Sequence, residues 1–343
     1  MNFKEYEKPY IIAEIGANHN GDMELAKKMI DKAKECGADC VKFQSWSKDT
    51  IFSKKVYDEN YFLGDDYRNR TDYTLESIVD KYHIGIEQHK KLEQYCDSIG
   101  IGFNSTPFSR DEVDLLVDDI KVPFVKVASM DLNNIPFLEY IANKKVPVVI
   151  STGLCGISEV ADAVKTLNEH GCPEVILLHC VSIYPPEDNQ VNLNNIDMLR
   201  QTFGCKIGYS DHTLGIIAPI MSLAKGICIL EKHFTLDKNM EGWDHKISAD
   251  PEELKIICKA SKTGYKMLGS FVKNTNENQE RREAFQRSIV AARPIKKGDI
   301  ITETDLDYKR PGSGIPPKYY KFIVGKEAKR DLGYDEIIKM EDF

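Results

Sequence analysis

The chain has 343 residues, 42% of them hydrophobic and 29% charged, and carries a net charge of −8. That length exceeds the ~100–200 residues of an ordinary domain but suits one α/β barrel of about 250 residues plus a small module. The acidic balance excludes a general nucleic-acid binder, whose phosphate contacts need a basic face, and no run approaches the ~20 apolar residues of a membrane span.

The opening Met1-Asn-Phe-Lys-Glu-Tyr-Glu-Lys-Pro9 lacks the apolar core of a signal peptide, and the nine cysteines include no Cys-x-x-Cys pair. A cytoplasmic protein with reduced thiols is expected. From Tyr10 onward, short β-branched runs alternate with longer segments of helical period, the pattern of repeated βα units on a parallel sheet. The predicted strands are Ile11–Gly16, Cys40–Ser45, Gly102–Thr106, Phe124–Ser129, Val148–Thr152, Val175–Cys180, Lys206–Ser210 and Cys228–Phe234. Between them run helices such as Asp22–Glu35, with Leu25, Met29 and Ala33 on one stripe, and Ile157–Glu169, with Val160, Val164 and Leu167 on another. Eight strands in strict alternation are what a closed (β/α)8 TIM barrel requires, so an α/β barrel is the expected fold.

One interruption, Trp46–Tyr82, is far longer than the ~2–6 residues of a usual βα loop. It holds a helical piece near Leu75–Tyr82 and falls where barrel loops cover active sites, which reads as a lid or as a loosely ordered insertion. The barrel should occupy residues 1–270. A polar stretch, Lys273-Asn-Thr-Asn-Glu-Asn-Gln-Glu-Arg-Arg282, marks a linker over 271–284, and short strands with Gly/Pro turns over 285–343 indicate a compact, mostly β module.

Functional groups of such barrels sit at the C-terminal ends of the strands. In order, those ends carry Glu14 with Asn18 and His19, Lys42 with Gln44, Ser105 with Thr106, Lys126 with Ser129 and Asp131, Ser151 with Thr152, His179 with Ser182 and Tyr184, Ser210 with His212, and Glu231 with His233. Residues two apart on a strand share a face, so Lys42 and Gln44, Ser210 and His212, or Glu231 and His233 can face one mouth together. Two lysines among serines suit a phosphate, lysines supplying charge and hydroxyls directed hydrogen bonds. Two histidines beside carboxylates suit a divalent metal otherwise held by water and substrate oxygens. Taken singly, a buried lysine is equally well a structural ion pair, and a strand-end histidine a partner of some backbone carbonyl. Polar endings on all eight strands favour a site.

Ile12-Ala-Glu-Ile-Gly-Ala-Asn-His-Asn-Gly21, Val41-Lys-Phe-Gln44, Ser105-Thr-Pro-Phe108, Phe124-Val-Lys-Val-Ala-Ser129, Ser151-Thr-Gly153, Ser210-Asp-His-Thr213, Glu231-Lys-His-Phe-Thr235 and Lys309-Arg-Pro-Gly312 resemble the N-acetylneuraminate (sialic acid) synthase family. The resemblance covers nearly the whole chain, including a tail similar to the family's antifreeze-like (SAF) domain. It implies condensation of phosphoenolpyruvate with an N-acetylmannosamine-type acetamido hexose, plus water, to a nine-carbon 2-keto acid and phosphate. It also implies a divalent metal, Mn²⁺ foremost and Mg²⁺ or Co²⁺ otherwise, and a domain-swapped homodimer. Carried over by residue, the metal ligands are His212 and His233. The phosphoenolpyruvate contacts are Lys42, Lys126, Ser129, Ser151, Ser182 and Ser210, the sugar contacts Gln44, Tyr184, Asp244 and Arg310, and Glu14 and Asp131 are carboxylates near the reacting atoms.

Three positions depart from the family pattern: Asp131 where many bacterial members have Glu, Ser182 where some have Asn, and Trp243 in place of the Pro of Gly-Pro-Asp-His. An indole beside Asp244 is expected to favour an unphosphorylated sugar bearing methyl or acetamido groups. Two rival readings are a phosphoenolpyruvate-dependent synthase of eight- or seven-carbon keto acids, which would lack the tail, and a non-catalytic carbohydrate-binding protein.

Overall fold

The computed structural model describes residues 3–60, 72–273 and 276–343. Residues 61–71 of the expected insertion, and 274 and 275 of the expected linker, lie outside the described residues. Two compact units form, Met1–Gly269 and Ser270–Phe343.

In the first unit eight parallel strands run β1 (Tyr10–Gly16), β2 (Cys40–Ser45), β3 (Gly102–Pro107), β4 (Val125–Val127), β5 (Val148–Ser151), β6 (Val175–Cys180), β7 (Lys206–Asp211) and β8 (Ile229–His233). Their order, β3-β2-β1-β8-β7-β6-β5-β4, is sequence order wrapped round a ring. The ladder is interrupted between β3 and β4, where the Asn104 amide donates to the carbonyl of Phe124, just ahead of β4, at 3.0 Å. This is the expected TIM barrel. Strand β4 is shorter than the predicted Phe124–Ser129 because Ser129–Asp131 tightens into a 3₁₀ turn.

Alternation along each strand decides what the barrel encloses. Ile11, Ala13 and Ile15 of β1 face the helix layer, whereas Ile12 packs inside with Cys40, Phe124, Val149, Ile176, Leu178, Cys228 and Ile229. Gly208 belongs to this plug by having no side chain: a Cβ there would lie 2.4 Å from Leu178 Cδ2. Two residues beyond the plug, on the same face of their strands, come Glu14, Lys42, Lys126, Ser151, Cys180, Ser210 and Glu231. The mouth is therefore polar over an apolar floor.

The helix Met23–Cys36 begins where the Asp22 carboxylate accepts from the Glu24 and Leu25 amides, and ends at Gly37, whose φ of 97° glycine adopts without strain. Its buried stripe is Ala26, Met29, Ile30 and Ala33; Leu25, expected on that stripe, is only partly covered. Trp46, Leu75, Ile78, Val79 and Tyr82 of the insertion form a separate apolar cluster with Ala17, against which Phe108 and Trp243 pack. The described part of the insertion is thus anchored.

In the second unit, β9 (Ser288–Ala291) and β10 (Leu306–Lys309) pair antiparallel over a core of Ile289, Ala291, Ile295, Ile301, Ile315, Ile323, Leu332 and Ile338. The segment read as a linker is not wholly irregular. Asn278 caps a helix over Gln279–Phe285, its side chain accepting from the Arg281 amide, and the low apolar content of that helix hid it from a reading based on hydrophobic period.

Candidate active site

Lys42 and Lys126 enter the mouth from β2 and β4 and are almost wholly buried. The Lys42 ammonium lies 2.8 Å from Glu14 Oε2 and 3.6 Å from Glu231 Oε2, and donates to Thr106 Oγ1 at 2.8 Å. Lys126 lies 3.8 Å from Glu231 Oε1 and donates to Ser151 Oγ at 2.8 Å and to its neighbour's carbonyl, Val127 O, at 3.0 Å. Ser210 Oγ donates to Glu231 Oε1 at 2.9 Å, and Gln44 Nε2 to Glu14 Oε1 at 3.1 Å. Burial pushes the Glu14 carboxyl up to about 7 despite the opposing Lys42 charge. Burial would raise Glu231 as well, but Lys126 and Lys42 outweigh it and hold that carboxyl below its ordinary value. Burial alone would lower Lys42, yet Glu14 and Glu231 keep it above the usual lysine range; Lys126, with fewer carboxylates near it, is lowered by burial.

His212 and His233 end the last two strands with ring centroids 5.4 Å apart, and the half-exposed Tyr184 ring lies over His212 at 4.1 Å. His212 Nδ1 donates to the Val181 carbonyl at 2.8 Å, so Nε2 is the nitrogen that bears the lone pair when the ring is neutral. Burial holds His233 neutral, well below the ordinary histidine range. Its Nδ1 is buried without a hydrogen-bond partner, 3.8 Å from an Asp244 oxygen. Burial raises Asp244 to about 6, with His212 opposing. Burial would lower His212 too, but the Cys180 thiol and the Val181 carbonyl outweigh it and raise that imidazole above its ordinary value. The pair, one neutral ring and one that must give up its proton, fits a divalent cation that displaces the proton. Among the described residues, no group of three or more His, Cys, Asp or Glu is placed to hold one.

Ser129 Oγ accepts from the Gly153 amide at 3.1 Å, and a Cβ on Gly153 would lie 2.3 Å from Ser182 Oγ and 2.8 Å from Ser129 Oγ, so both hydroxyls crowd one glycine. Asp131 stands apart: Oδ1 takes the Asn134 amide at 3.2 Å and Oδ2, though buried, has no partner. Arg310 lies in the second unit, its guanidinium 5.3 Å over the Phe285 ring. Two strand-end residues face the helix layer instead of the mouth. Ser105 bonds Ser45 at 2.5 Å, and Ser45 meets His89 at 2.9 Å, while His179 Nε2 reaches the Val191 carbonyl at 2.7 Å and its ring stacks on Tyr209. Glu231, read from sequence only as a polar strand end, turns out to sit between the two lysines. Its signal was the spacing Glu231-Lys-His233, which puts both outer residues on one face; Lys232 points the other way, to Asp211 at 2.6 Å.

Removing four ionisable side chains from water on an apolar plug does nothing for stability that a layer of aliphatic residues would not do better. The mouth is therefore a chemical site, and the fold is that of a TIM-barrel enzyme. Residues 29–273 match the NeuB family and 286–343 the SAF domain, and the chain belongs to the NeuB family. It is 44% identical to an uncharacterized protein of Methanocaldococcus jannaschii over 98% of this chain and 95% of that protein. It is also 38% identical to the N,N'-diacetyllegionaminic acid synthase of Campylobacter jejuni, over 97% and 99%. A crystal structure of N-acetylneuraminic acid (sialic acid) synthetase from Leptospira borgpetersenii superposes with a TM-score of 0.71 at 33% identity, covering 82% of this chain and 92% of that one.

Proposed function

We propose that this enzyme condenses phosphoenolpyruvate with an acetamido hexose and water, giving a nine-carbon 2-keto acid and phosphate. The observation that carries the reading is the pair of buried lysines, each beside a serine or threonine hydroxyl, at the same mouth as two imidazoles. Lys42 and Lys126, with Ser129, Ser151, Ser182 and Ser210, bind the phosphate and carboxylate of phosphoenolpyruvate. Gln44, Tyr184 and Asp244 orient the sugar, with Arg310 as a further contact. His212 and His233 would hold a divalent metal, Mn²⁺ foremost, which when bound polarises the sugar aldehyde. The proton that Glu14 takes up as phosphoenolpyruvate binds passes to the sugar aldehyde oxygen as the carbon–carbon bond forms. The carboxylate so released faces the positive charge developing at C2 and takes the proton that the adding water gives up. The lysines then neutralise the departing phosphate. Asp131 is kept as a carboxylate near the reacting atoms on the resemblance alone.

A homodimer belongs to the same proposal. Leu214, Ile217 and Met221 are 61%, 73% and 57% exposed and form the kind of apolar face that a second copy covers. The cytoplasm, where phosphoenolpyruvate is formed, is the fitting compartment; among the described residues no helix is long and apolar enough to cross a membrane. The test is phosphate release from phosphoenolpyruvate with N-acetylmannosamine, its 6-phosphate and a diacetamido-trideoxyhexose. Release with one of them is expected, and release with none in the presence of Mn²⁺ would overturn the reading.

A further inference from the structure

The chain after β1 winds into consecutive tight turns, Asn18 N bonding Ile15 O at 2.9 Å, Asn20 N bonding Ala17 O at 2.9 Å and Asp22 N bonding His19 O at 2.8 Å. These turns aim two amide side chains at the loop that follows β8. Asn18, wholly buried, donates from Nδ2 to the Phe234 carbonyl at 2.9 Å and to Ser248 Oγ at 2.8 Å. Ser248 Oγ in turn donates to the Asp244 carbonyl at 2.6 Å. Asn20 Nδ2 donates to the Glu241 carbonyl at 2.8 Å. The two asparagines therefore grip the loop on both sides of Trp243 and Asp244.

The direction of this relay is fixed. Phe234 O can only accept, so the Asn18 amide cannot be turned over without setting two oxygens against each other. Asn18 Oδ1 is left buried without a partner, a cost the protein bears to keep both donors on the loop. Gly242 tightens the grip: a Cβ there would lie 2.6 Å from His245 Cδ2 and 2.8 Å from Asn20 Oδ1, so the backbone approaches Asn20 as only glycine allows.

We infer that Asn18 and Asn20 are positioning residues that set the acceptor side of the site, acting through Ser248 and Glu241 on the backbone that carries Asp244. The inference rests on the proposed role of Asp244 in holding the sugar. Among the described residues the hydrogen bonds of both asparagine side chains go to the loop after β8 and not to Lys42, Lys126 or their serines, so the phosphoenolpyruvate half of the site does not depend on them.

Asn18→Ala and Ser248→Ala are each expected to raise KM for the sugar by about tenfold while KM for phosphoenolpyruvate stays within about twofold. Because the two residues form one relay, the double variant should be no worse than the worse single one. The protein has two tryptophans, Trp46 and Trp243, with ring centroids 6.2 Å apart, so intrinsic fluorescence reports on this loop without any assay of activity. Both variants should shift the emission to the red as the loop loosens. Should Asn18→Ala fail to fold, Asn20→Ala at the less buried arm gives the same reading. Parallel loss of affinity for both substrates, or an unmoved acceptor KM with unmoved emission, would sink the inference. A wild-type enzyme that releases no phosphate with any sugar overturns the proposed reaction instead, and is told apart by that absence of turnover.

Discussion

Glu14 and Lys42 meet at 2.8 Å in the barrel mouth, each 3% exposed, yet the carboxyl is not held low by its partner. Burial pushes it up to about 7, and a carboxyl so placed responds to any new charge. An arriving phosphoenolpyruvate trianion disfavours ionised Glu14 and raises it further. At pH 8, where free phosphoenolpyruvate is fully ionised and Glu14 is mostly so, binding should take up close to one proton. Calorimetric binding enthalpies in buffers of different ionisation heat would show it, and Glu14→Gln should abolish the buffer dependence. Enthalpies independent of buffer in the wild-type protein would count against a titrating Glu14.

Lys126 has few structural partners: hydrogen bonds to Ser151 and to its neighbour's carbonyl, and a long ion pair of 3.8 Å to Glu231. Lys126→Met keeps the apolar stem and removes the ammonium. The variant should fold, and its affinity for phosphoenolpyruvate should fall by roughly 10–100-fold, the loss of a charged hydrogen bond. A protein that mostly unfolds, with normal kinetics in the folded remainder, would make the lysine structural.

The barrel was legible because its cause is local: apolar runs of strand length alternate with helical ones, and strand ends follow from where those runs stop. The site was legible in part. Alternation brings Lys42 and Gln44 to one face, but which face looks inward depends on register, and a slip of one residue reverses it. Hence Ser105 could not be told from Thr106, nor His179 from Cys180, until the plug residues two positions earlier were known. Glu231 between Lys42 and Lys126, and the bond from Asn18 to Ser248, depend on distances across the barrel that no local pattern encodes.

The imidazole pair leads to a prediction about metal. Exhaustive chelation should abolish turnover and Mn²⁺ should restore it. His212→Ala and His233→Ala should each lose metal measured by elemental analysis while the melting temperature stays close to that of the chelated wild type, because the ion would serve chemistry and the barrel closes without it. Full activity after chelation would remove the metal from the proposal.

Trp243 is packed between Trp46 at 6.2 Å and Tyr82 at 5.6 Å, ring centre to ring centre, directly before Asp244. Aromatic rings make up this wall, which offers little to a charged group. Free acetamido hexoses should therefore turn over faster than their 6-phosphates, by about tenfold or more in kcat/KM. The reverse order would show that the wall does not select the acceptor.

The last prediction concerns Arg310, which follows β10 in the second unit. Its guanidinium rests on the Phe285 ring, and the loop behind it is pinned by the Ser288 hydroxyl, which donates to Pro311 O at 2.6 Å. A Cβ on Gly312 would come 2.7 Å from Gln286 Cβ, so the chain can pass that close only as glycine. These contacts hold a five-donor group ready on a short, fixed turn, suited to a sugar acetamido oxygen. The resemblance assigns that arginine to the partner's barrel, and complementation can separate the two arrangements. An Arg310→Ala chain and a His212→Ala chain, each inactive alone, are mixed and allowed to exchange subunits. If Arg310 acts in trans, one site of each heterodimer combines the intact barrel of the first chain with the intact arginine of the second, and activity returns to about a quarter of the wild-type level, since random exchange makes half the dimers mixed and each has one good site. If it acts in cis, every site keeps one lesion, and the mixture stays inactive although exchange is verified by differently tagged chains.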